Sequence, residues 1–294
     1  MIDGKEIARK ILDSVKLEVS EMERKPGLAI ILVGENPASQ VYGRIKEKRC
    51  NEVGINCNKI SLDKETSEDE LIETVNKFNY DNQVDGIIVQ LPLPPHIDKR
   101  KVLNAMDPKK DVDGLHPYNL GSLVISDPDK TESVFSGCSK PKIDGGFAHN
   151  KLLPATAMGV IKLLESTGVE LKGMHACVIG RSELVGKPVS LLLQQKNCTV
   201  TMCHSGTKGL EDITRLADII VVAVGQPGMI KKEMVKPGAI VIDVGISKVE
   251  DKIAGDVDEN VSEVAGYLTP VPGGVGPMTV AVLLLNVVRA YKNL

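Results

Sequence analysis

Apolar positions recur at helical spacing over residues 4–24 (Ile7, Ile11, Leu12, Val15, Val19), and the pattern stops before Pro26-Gly27. Directly after it, Leu28-Ala29-Ile30-Ile31-Leu32-Val33 is an unbroken apolar run closed by Gly34. A run of that length predicts a strand covered on both faces. The alternation continues with a helix from about Ser39 to Val53, a short strand near Asn58–Leu62 and a helix from about Ser67 to Asn79. Asp85-Gly86-Ile87-Ile88-Val89-Gln90-Leu91 then reads as a second buried strand, broken by Pro92-Leu93-Pro94-Pro95.

Between Gly121 and Pro154 the period is lost. Ser126-Asp127-Pro128-Asp129-Lys130 and Lys140-Pro141-Lys142-Ile143-Asp144-Gly145-Gly146 have turn and loop composition, as a linker would. A helix from Thr156 to Ser166 follows, then strands at His175–Ile179, Thr199–Cys203, Ile219–Val224 and Ile240–Val244, with a helix between most neighbours. This alternation predicts a doubly wound parallel sheet. The expected fold class is therefore α/β with two α/β domains and a cleft between them. The first covers 1–150 and is completed by a carboxyl-terminal helix over 279–294; the second covers 151–278.

The chain has 294 residues, 42% hydrophobic and 26% charged, with a net charge of −3. A slightly acidic balance leaves no electrostatic footprint for nucleic acid, and no apolar stretch reads as a membrane span. The start Met1-Ile2-Asp3-Gly4-Lys5-Glu6 carries acids and fits neither a signal nor a transit peptide, so a cytoplasmic protein is expected. The six cysteines (Cys50, Cys57, Cys138, Cys177, Cys198, Cys203) form no Cys-x-x-Cys pair. Cys198, Cys203 and His204 lie near enough in sequence to be considered as metal ligands. Because the two cysteines flank a β-branched run, they are read as small packing residues, and no metal is expected.

Three segments carry candidate chemistry. Thr269-Pro270-Val271-Pro272-Gly273-Gly274-Val275-Gly276-Pro277-Met278-Thr279 combines three prolines with three glycines just before the apolar run Val280–Leu285. The prolines fix φ and the glycines permit close approach, so a binding loop at a helix start is expected, its amides turned to a ligand. Strand His175–Ile179 leads into Gly180-Arg181-Ser182-Glu183-Leu184-Val185-Gly186 and a helix from about Lys187. In a doubly wound sheet the pyrophosphate of a dinucleotide lies at that turn. The next strand ends Met202-Cys203-His204-Ser205-Gly206-Thr207-Lys208 without the acid that an NAD site uses for the ribose 2′-hydroxyl. Arg181 can supply a bidentate cationic contact to a 2′-phosphate, which favours NADP, though an exposed arginine is also an ordinary surface charge.

In the first half, Tyr42 and Lys46 stand four apart on a predicted helix and share a face. A lysine desolvated by burial moves towards neutrality and a phenol beside it can orient it, which suits acid–base work. An amphipathic surface helix yields the same spacing. Gln90 ends a buried strand, where ligands of parallel sheets bind. In Asp111-Val112-Asp113-Gly114, Asp111 either adds a carboxylate to a site or closes the turn through its side chain.

Together these motifs resemble the bifunctional methylenetetrahydrofolate dehydrogenase/methenyltetrahydrofolate cyclohydrolase family, the bacterial FolD type, nearly end to end. The resemblance is carried by Ser39-Gln40-Val41-Tyr42-Gly43-Arg44-Ile45-Lys46, Gly86–Pro94, Lys110–Gly114, Gly180-Arg181-Ser182 with Val185-Gly186-Lys187-Pro188, and Pro270–Thr279. It implies oxidation of 5,10-methylenetetrahydrofolate with NADP, followed by hydrolysis of the methenyl product to 10-formyltetrahydrofolate. It implies Lys46 as the cyclohydrolase catalyst, supported by Tyr42 and Gln90. Tyr42, Lys46, Val89, Gln90, Leu91 and Asp113 would hold the tetrahydrofolate derivative, with Pro272, Gly273, Gly274, Val275 and Gly276 closing over it. Gly180, Arg181, Ser182 and Ser205 would take NADP, with Ile246 near its nicotinamide. A homodimer is implied as well.

Two departures stand out. The family usually has Pro-Cys-Thr-Pro before the linker helix, whereas this chain has Pro154-Ala155-Thr156-Ala157, leaving Thr156 as the expected helix cap. The stretch from Gly121 to Pro154 is longer than the family norm. A short-chain dehydrogenase also uses Tyr-x-x-x-Lys, but there the pair follows the glycine-rich loop, and here Tyr42 precedes Gly180. The alternatives are a folate- or nucleotide-binding protein with impaired catalysis and a dehydrogenase with weak cyclohydrolase activity.

Overall fold

The computed structural model describes residues 1–125, 151–250 and 252–293. Cys138 and most of the expected linker between Gly121 and Pro154 lie outside the described residues. In chain order the elements of the first half are α1 (Gly4–Ser20), β1 (Gly27–Val33), α2 (Pro37–Val53), β2 (Asn56–Leu62), α3 (Glu68–Asn79), β3 (Gly86–Val89), α4 (Lys99–Ala105) and α5 (Pro117–Val124). Then come α6 (Ala155–Glu165), β4 (His175–Ile179), α7 (Gly186–Gln195), β5 (Thr199–Cys203), α8 (Leu210–Leu216), β6 (Ile219–Val222) and β7 (Ile240–Asp243). A short hairpin of β8 (Ser247–Val249) and β9 (Lys252–Ala254), β10 (Tyr267–Leu268) and α9 (Val275–Asn293) complete the chain.

The chain forms two compact units. One is built mainly from Lys10–Ser122 and Val280–Leu294. Its parallel sheet has the order β2-β1-β3. All seven residues of β1 are buried, which explains why the run Leu28–Val33 carries no polar alternation. Leu71, Val75 and Phe78 of α3 pack against Ala29, Ile31, Ile87 and Val89. Two local signals set the helix starts. Ser67 and Glu70 form a capping box on α3, and the Asn36 side chain accepts from the amide of Ser39 ahead of α2. At the sheet's amino-terminal edge Arg24 makes a bidentate pair with buried Asp85 (2.8 and 2.7 Å) and lies 4.8 Å over the Tyr291 ring.

The other unit is built mainly from Met1–Arg9 and Thr156–Thr279. Its five-stranded parallel sheet has the order β10-β7-β6-β4-β5. This is the doubly wound arrangement expected, with the strand order reversing beside β4. Cys177, Ile179, Cys203, Ile220, Val222 and Val241 lie in its core. Cys177 and Cys203 touch through sulfur at 3.7 Å, and burial raises the Cys198 thiol to about 11, so these cysteines pack rather than react. Among the described residues no group of three or more His, Cys, Asp or Glu could hold a metal ion.

Several boundaries differ from the expected ones. The helix α1 stops at Ser20 and not near residue 24, and β3 stops at Val89, leaving Gln90 and Leu91 beyond the strand. Short elements (α4, α5, the β8–β9 hairpin and β10) show no signal in the sequence because two to eight residues are too few to show a period. Thr156 does not cap its helix: α6 begins at Ala155, and the Thr156 hydroxyl instead accepts from Thr279 Oγ1 at 3.2 Å. The expectation of no membrane-length segment also needs correction. The helix α9 is long and apolar enough to cross a membrane, and 72% of its apolar window is buried in the protein, as in a core helix.

Candidate active site

The helix α2 carries Tyr42 and Lys46, four residues apart and hence one above the other on the same face. The carbon stem of Lys46 is buried with the rest of the side chain, only 5% exposed, and Nζ donates to Gln90 Oε1 at 2.9 Å. Gln90 follows the last residue of β3, and its backbone amide still bonds the Ile31 carbonyl at 2.8 Å, so sheet register sets its place. Its Nε2 donates to the Leu91 carbonyl at 2.8 Å, which turns Oε1 towards the lysine. Burial lowers the Lys46 pKa from its ordinary 10.5, while the negative charge of Asp113 opposes that shift. Burial likewise raises the Tyr42 phenol. Among the described residues Tyr42 makes no hydrogen bond to Lys46 or Gln90. Val89 is buried at the end of β3, and Leu91, half-buried, precedes a cis peptide bond to Pro92.

The Asp111–Gly114 turn divides its two acids between two jobs. Asp111 is buried and accepts from the His116 amide at 2.7 Å and from Asn119 Nδ2 at 2.8 Å, so it closes the turn. Desolvation raises its pKa in spite of those donors. Asp113 is half-buried and adds the negative field felt by Lys46. Gly114 has φ +72°, and a β-carbon there would lie 2.5 Å from the Leu153 and Pro154 backbone, so only glycine fits this turn.

The proline- and glycine-rich string is tighter than expected. Its second half is already helix, since α9 starts at Val275, and Pro277 sits in the first turn, where no amide donor is needed. Gly273, Gly274 and Val275 are buried, Gly276 is half-buried, and Pro272 is exposed beyond a cis bond to Val271. A β-carbon on Gly4 would stand 2.1 Å from the Gly274 carbonyl, so two backbones meet here. The close approach that the glycines permit is made, at least in part, by the start of α1.

In the sheet of five, Gly180 follows β4 with φ +119°, and α7 begins at Gly186 without a side-chain cap hydrogen bond from Val185. The Ser182 hydroxyl accepts from the amides of Val185 (3.2 Å) and Gly186 (3.4 Å). Arg181 and Ser182 are exposed, and Arg181 forms no ion pair with any described residue. After β5 the His204–Thr207 turn is braced by the His204 amide on Thr207 Oγ1 (2.9 Å) and the Gly206 amide on His204 Nδ1 (3.1 Å). Ser205 projects there, exposed, with no carboxylate in the turn. Hydroxyl, arginine and helix amides without an acid are a donor set that suits a phosphorylated ribose. Ile246, 48% exposed, follows β7.

Residues 2–113 match the tetrahydrofolate dehydrogenase/cyclohydrolase catalytic domain, and residues 154–294 match the NAD(P)-binding domain of the same enzymes. The bifunctional protein FolD of Acetivibrio thermocellus is 46% identical over 297 residues, a match that covers 99% of this chain and 96% of that protein. The chain belongs to the tetrahydrofolate dehydrogenase/cyclohydrolase family. Solved structures of this family agree. The bifunctional dehydrogenase/cyclohydrolase of Campylobacter jejuni superposes with a TM-score of 0.90 at 42% identity, over 99% of this chain and 98% of that one. The Trypanosoma brucei enzyme, complexed with NADP cofactor and inhibitor, gives 0.88 at 38% identity, over 99% and 97%.

Two further acids of the nucleotide-binding unit carry no periodic signal in the sequence. Asp243 and Asp256 are both buried, and burial with the neighbouring Asp256 charge pushes Asp243 up to about 6 against the pull of three backbone amides. The only hint was a glycine beside each, in Asp243-Val244-Gly245 and Gly255-Asp256, which no periodicity argument weighs.

Proposed function

We propose that this chain oxidises 5,10-methylenetetrahydrofolate to the methenyl form with NADP and hydrolyses the product to 10-formyltetrahydrofolate. The observation that carries this reading is the buried Lys46 held 2.9 Å from Gln90 in the catalytic-domain half of a family member. The chemistry that NADP supplies when bound is acceptance of a hydride from the methylene carbon. Gly180, Arg181, Ser182 and Ser205 are the residues that would hold it, with Ile246 towards the nicotinamide. The folate nitrogens stabilise the cation left behind, so this half-reaction asks the protein for alignment more than for proton transfer.

Hydrolysis asks for protons to move. Water adds to the methenyl carbon and loses a proton to give a carbinol; the bond from that carbon to one ring nitrogen then breaks as the nitrogen takes up a proton and the hydroxyl releases its own to solvent, leaving the formyl group on the other nitrogen. Lys46, depressed by burial, supplies a neutral amine to take that proton and an ammonium to return it. Gln90 orients the amine, and Tyr42 lines the same helix face. Val89, Leu91 and Asp113, with Pro272, Gly273, Gly274, Val275 and Gly276, are the proposed contacts to the tetrahydrofolate derivative. Domain limits of 1–150 with 279–294, and 151–278, belong to the same proposal, as do a homodimer, a cytoplasmic location and the lack of a nucleic-acid or membrane partner.

The test is direct. Purified protein is given methylenetetrahydrofolate with NADP, and nicotinamide absorbance is followed; methenyl hydrolysis is read separately by loss of the methenyl chromophore. Turnover in both assays supports the proposal, and inactivity of folded protein in both refutes it.

A further inference from the structure

The two buried acids grip each other's segments. Asp243, the last residue of β7, accepts from the amides of Gly245 (2.9 Å), Asp256 (3.0 Å) and Val257 (2.9 Å). Asp256 accepts from Val224 (2.8 Å) and Gly225 (3.0 Å), the residues that follow β6. The contacts are crossed. A β-carbon on Gly245 would fall 2.2 Å from the Asp256 carboxyl carbon, and one on Gly255 would fall 2.0 Å from Asp243 Oδ2. Each carboxyl therefore lies flat on the glycine beside the other acid, and neither glycine could carry a side chain. Five backbone donors answer two dehydrated carboxyl groups, yet Asp256 Oδ1 stays buried without a partner. An arrangement that leaves such a group unpaired is costly to keep for packing alone.

What the grip fixes is the carboxyl edge of the sheet. The Ala223 carbonyl stands 2.5 Å from where a β-carbon of Gly180 would be, so the loop held by Asp256 abuts the Gly180-Arg181-Ser182 turn. The backbone of the same segment is clamped further along: the Gly228 amide bonds the Gly255 carbonyl (3.0 Å) and the Ile230 amide the Asp256 carbonyl (3.0 Å). Asp243 in turn fixes the Gly245 amide, next to Ile246. In doubly wound sheets the ligand lies outside the carboxyl ends of the strands, and β6 and β7 stand on the far side of β4 from β5. The adenosine half belongs by β5, so the loops after β6 and β7 belong to the nicotinamide half.

We propose that Asp243 and Asp256 form a crossed clasp that positions the loops after β6 and β7 for the nicotinamide half of NADP. They are positioning residues: neither touches the cofactor, and they act through the Val224, Gly225 and Gly245 amides. This inference rests on the functional reading above. Loss of the clasp displaces the nicotinamide and leaves the adenosine half in place.

The variants are Asp256→Ala, which empties the grip, and Gly245→Ala, which pushes the carboxyl off its seat. Both are compared with wild type for NADP binding, for binding of 2′,5′-ADP (the adenosine half alone), for dehydrogenase turnover and for methenyl hydrolysis. The expected result is about 10-fold weaker NADP and hydride transfer slowed by about 10²-fold, the scale of an ångström-sized misplacement. Binding of 2′,5′-ADP and the hydrolysis rate should stay within about 2-fold. Should Asp256→Ala fail to fold, Asp256→Asn keeps one acceptor oxygen and should show the same selectivity in milder form. Wild-type NADP binding and turnover in the variants would overturn the clasp, as would equal weakening of NADP and 2′,5′-ADP, which marks a general loss of structure. Absence of NADP-linked turnover in the wild type would refute the functional reading instead, and the two binding measurements would still judge the clasp.

Discussion

Lys46 Nζ donates to Gln90 Oε1 at 2.9 Å, and Gln90 is itself held by the Leu91 carbonyl, so a neutral amide rather than a carboxylate receives the buried cation. That choice matters for chemistry. A carboxylate at that distance would hold the lysine charged, whereas an amide leaves burial free to lower its pKa.

Gln90→Glu tests this relationship. The new carboxylate should raise the Lys46 pKa, so methenyl hydrolysis at neutral pH should fall by about 10-fold or more and its rising pH limb should move to higher pH. Asp113→Asn should do the reverse to the limb, because the Asp113 charge raises the Lys46 pKa and its removal lets it drop further. Rate–pH profiles of the three proteins check both directions. Limbs that coincide would show that Lys46 is not the titrating group.

A buried lysine with a depressed pKa also costs stability, and the sign can be worked out. Below the folded-state pKa the full cost of burying the charge is present. As pH rises from there towards the ordinary 10.5, the unfolded chain holds more protons and stability rises. Lys46→Met removes the cost, so its urea midpoint should exceed that of wild type at pH 7, and the gap should narrow as pH approaches 10.5. A gap that widens with pH contradicts the assignment.

Arg181, exposed and without an ion pair among the described residues, is the proposed contact to the 2′-phosphate of NADP. Arg181→Ala should raise the NADP Michaelis constant by about 10- to 100-fold, the worth of a hydrogen-bonded charge pair, with little change for NAD. Steady-state kinetics with both nucleotides decide it; equal loss with both would remove Arg181 from the 2′-phosphate.

Stability of the sheet in the Lys46 half depends on Arg24 and Asp85. Asp85 is 1% exposed and also accepts from the Gly27 amide at 2.7 Å, so it does not lose every partner when the arginine goes. Arg24, a third exposed, is partly screened by water. Arg24→Ala should therefore cost about 2 kcal/mol, below the usual price of breaking a fully buried pair. Urea unfolding measures it, and a change under about 0.5 kcal/mol would show the pair to be ornamental.

The sequence was most legible where burial imposes a pattern. The unbroken run Leu28–Val33 could only be a covered strand, and all seven residues of β1 are buried. Lys46 and Gln90, in contrast, are 44 residues apart, and nothing local says that sheet register will join them. Asp111 was ambiguous because a turn-closing acid and a site acid have the same sequence; Asn119 and His116 decide it in space. The proline- and glycine-rich string implies a close approach without naming the neighbour, and at Gly274 one neighbour is the backbone of Gly4, some 270 residues earlier in the chain by its number. Short-range grammar finds elements; contacts across the chain assign the acids and glycines.

Lys46→Met separates hydrolysis, proposed to need the Lys46 amine, from hydride transfer, proposed to need only alignment. Methionine keeps the apolar stem and removes the amine. Methenyl hydrolysis and NADP reduction are measured separately on one folded preparation, with folate binding as the control. Hydrolysis should fall by about 10²-fold or more while the dehydrogenase retains most of its rate. Hydrolysis at the wild-type rate, or loss of both activities together with folate binding, would contradict a catalytic role for Lys46.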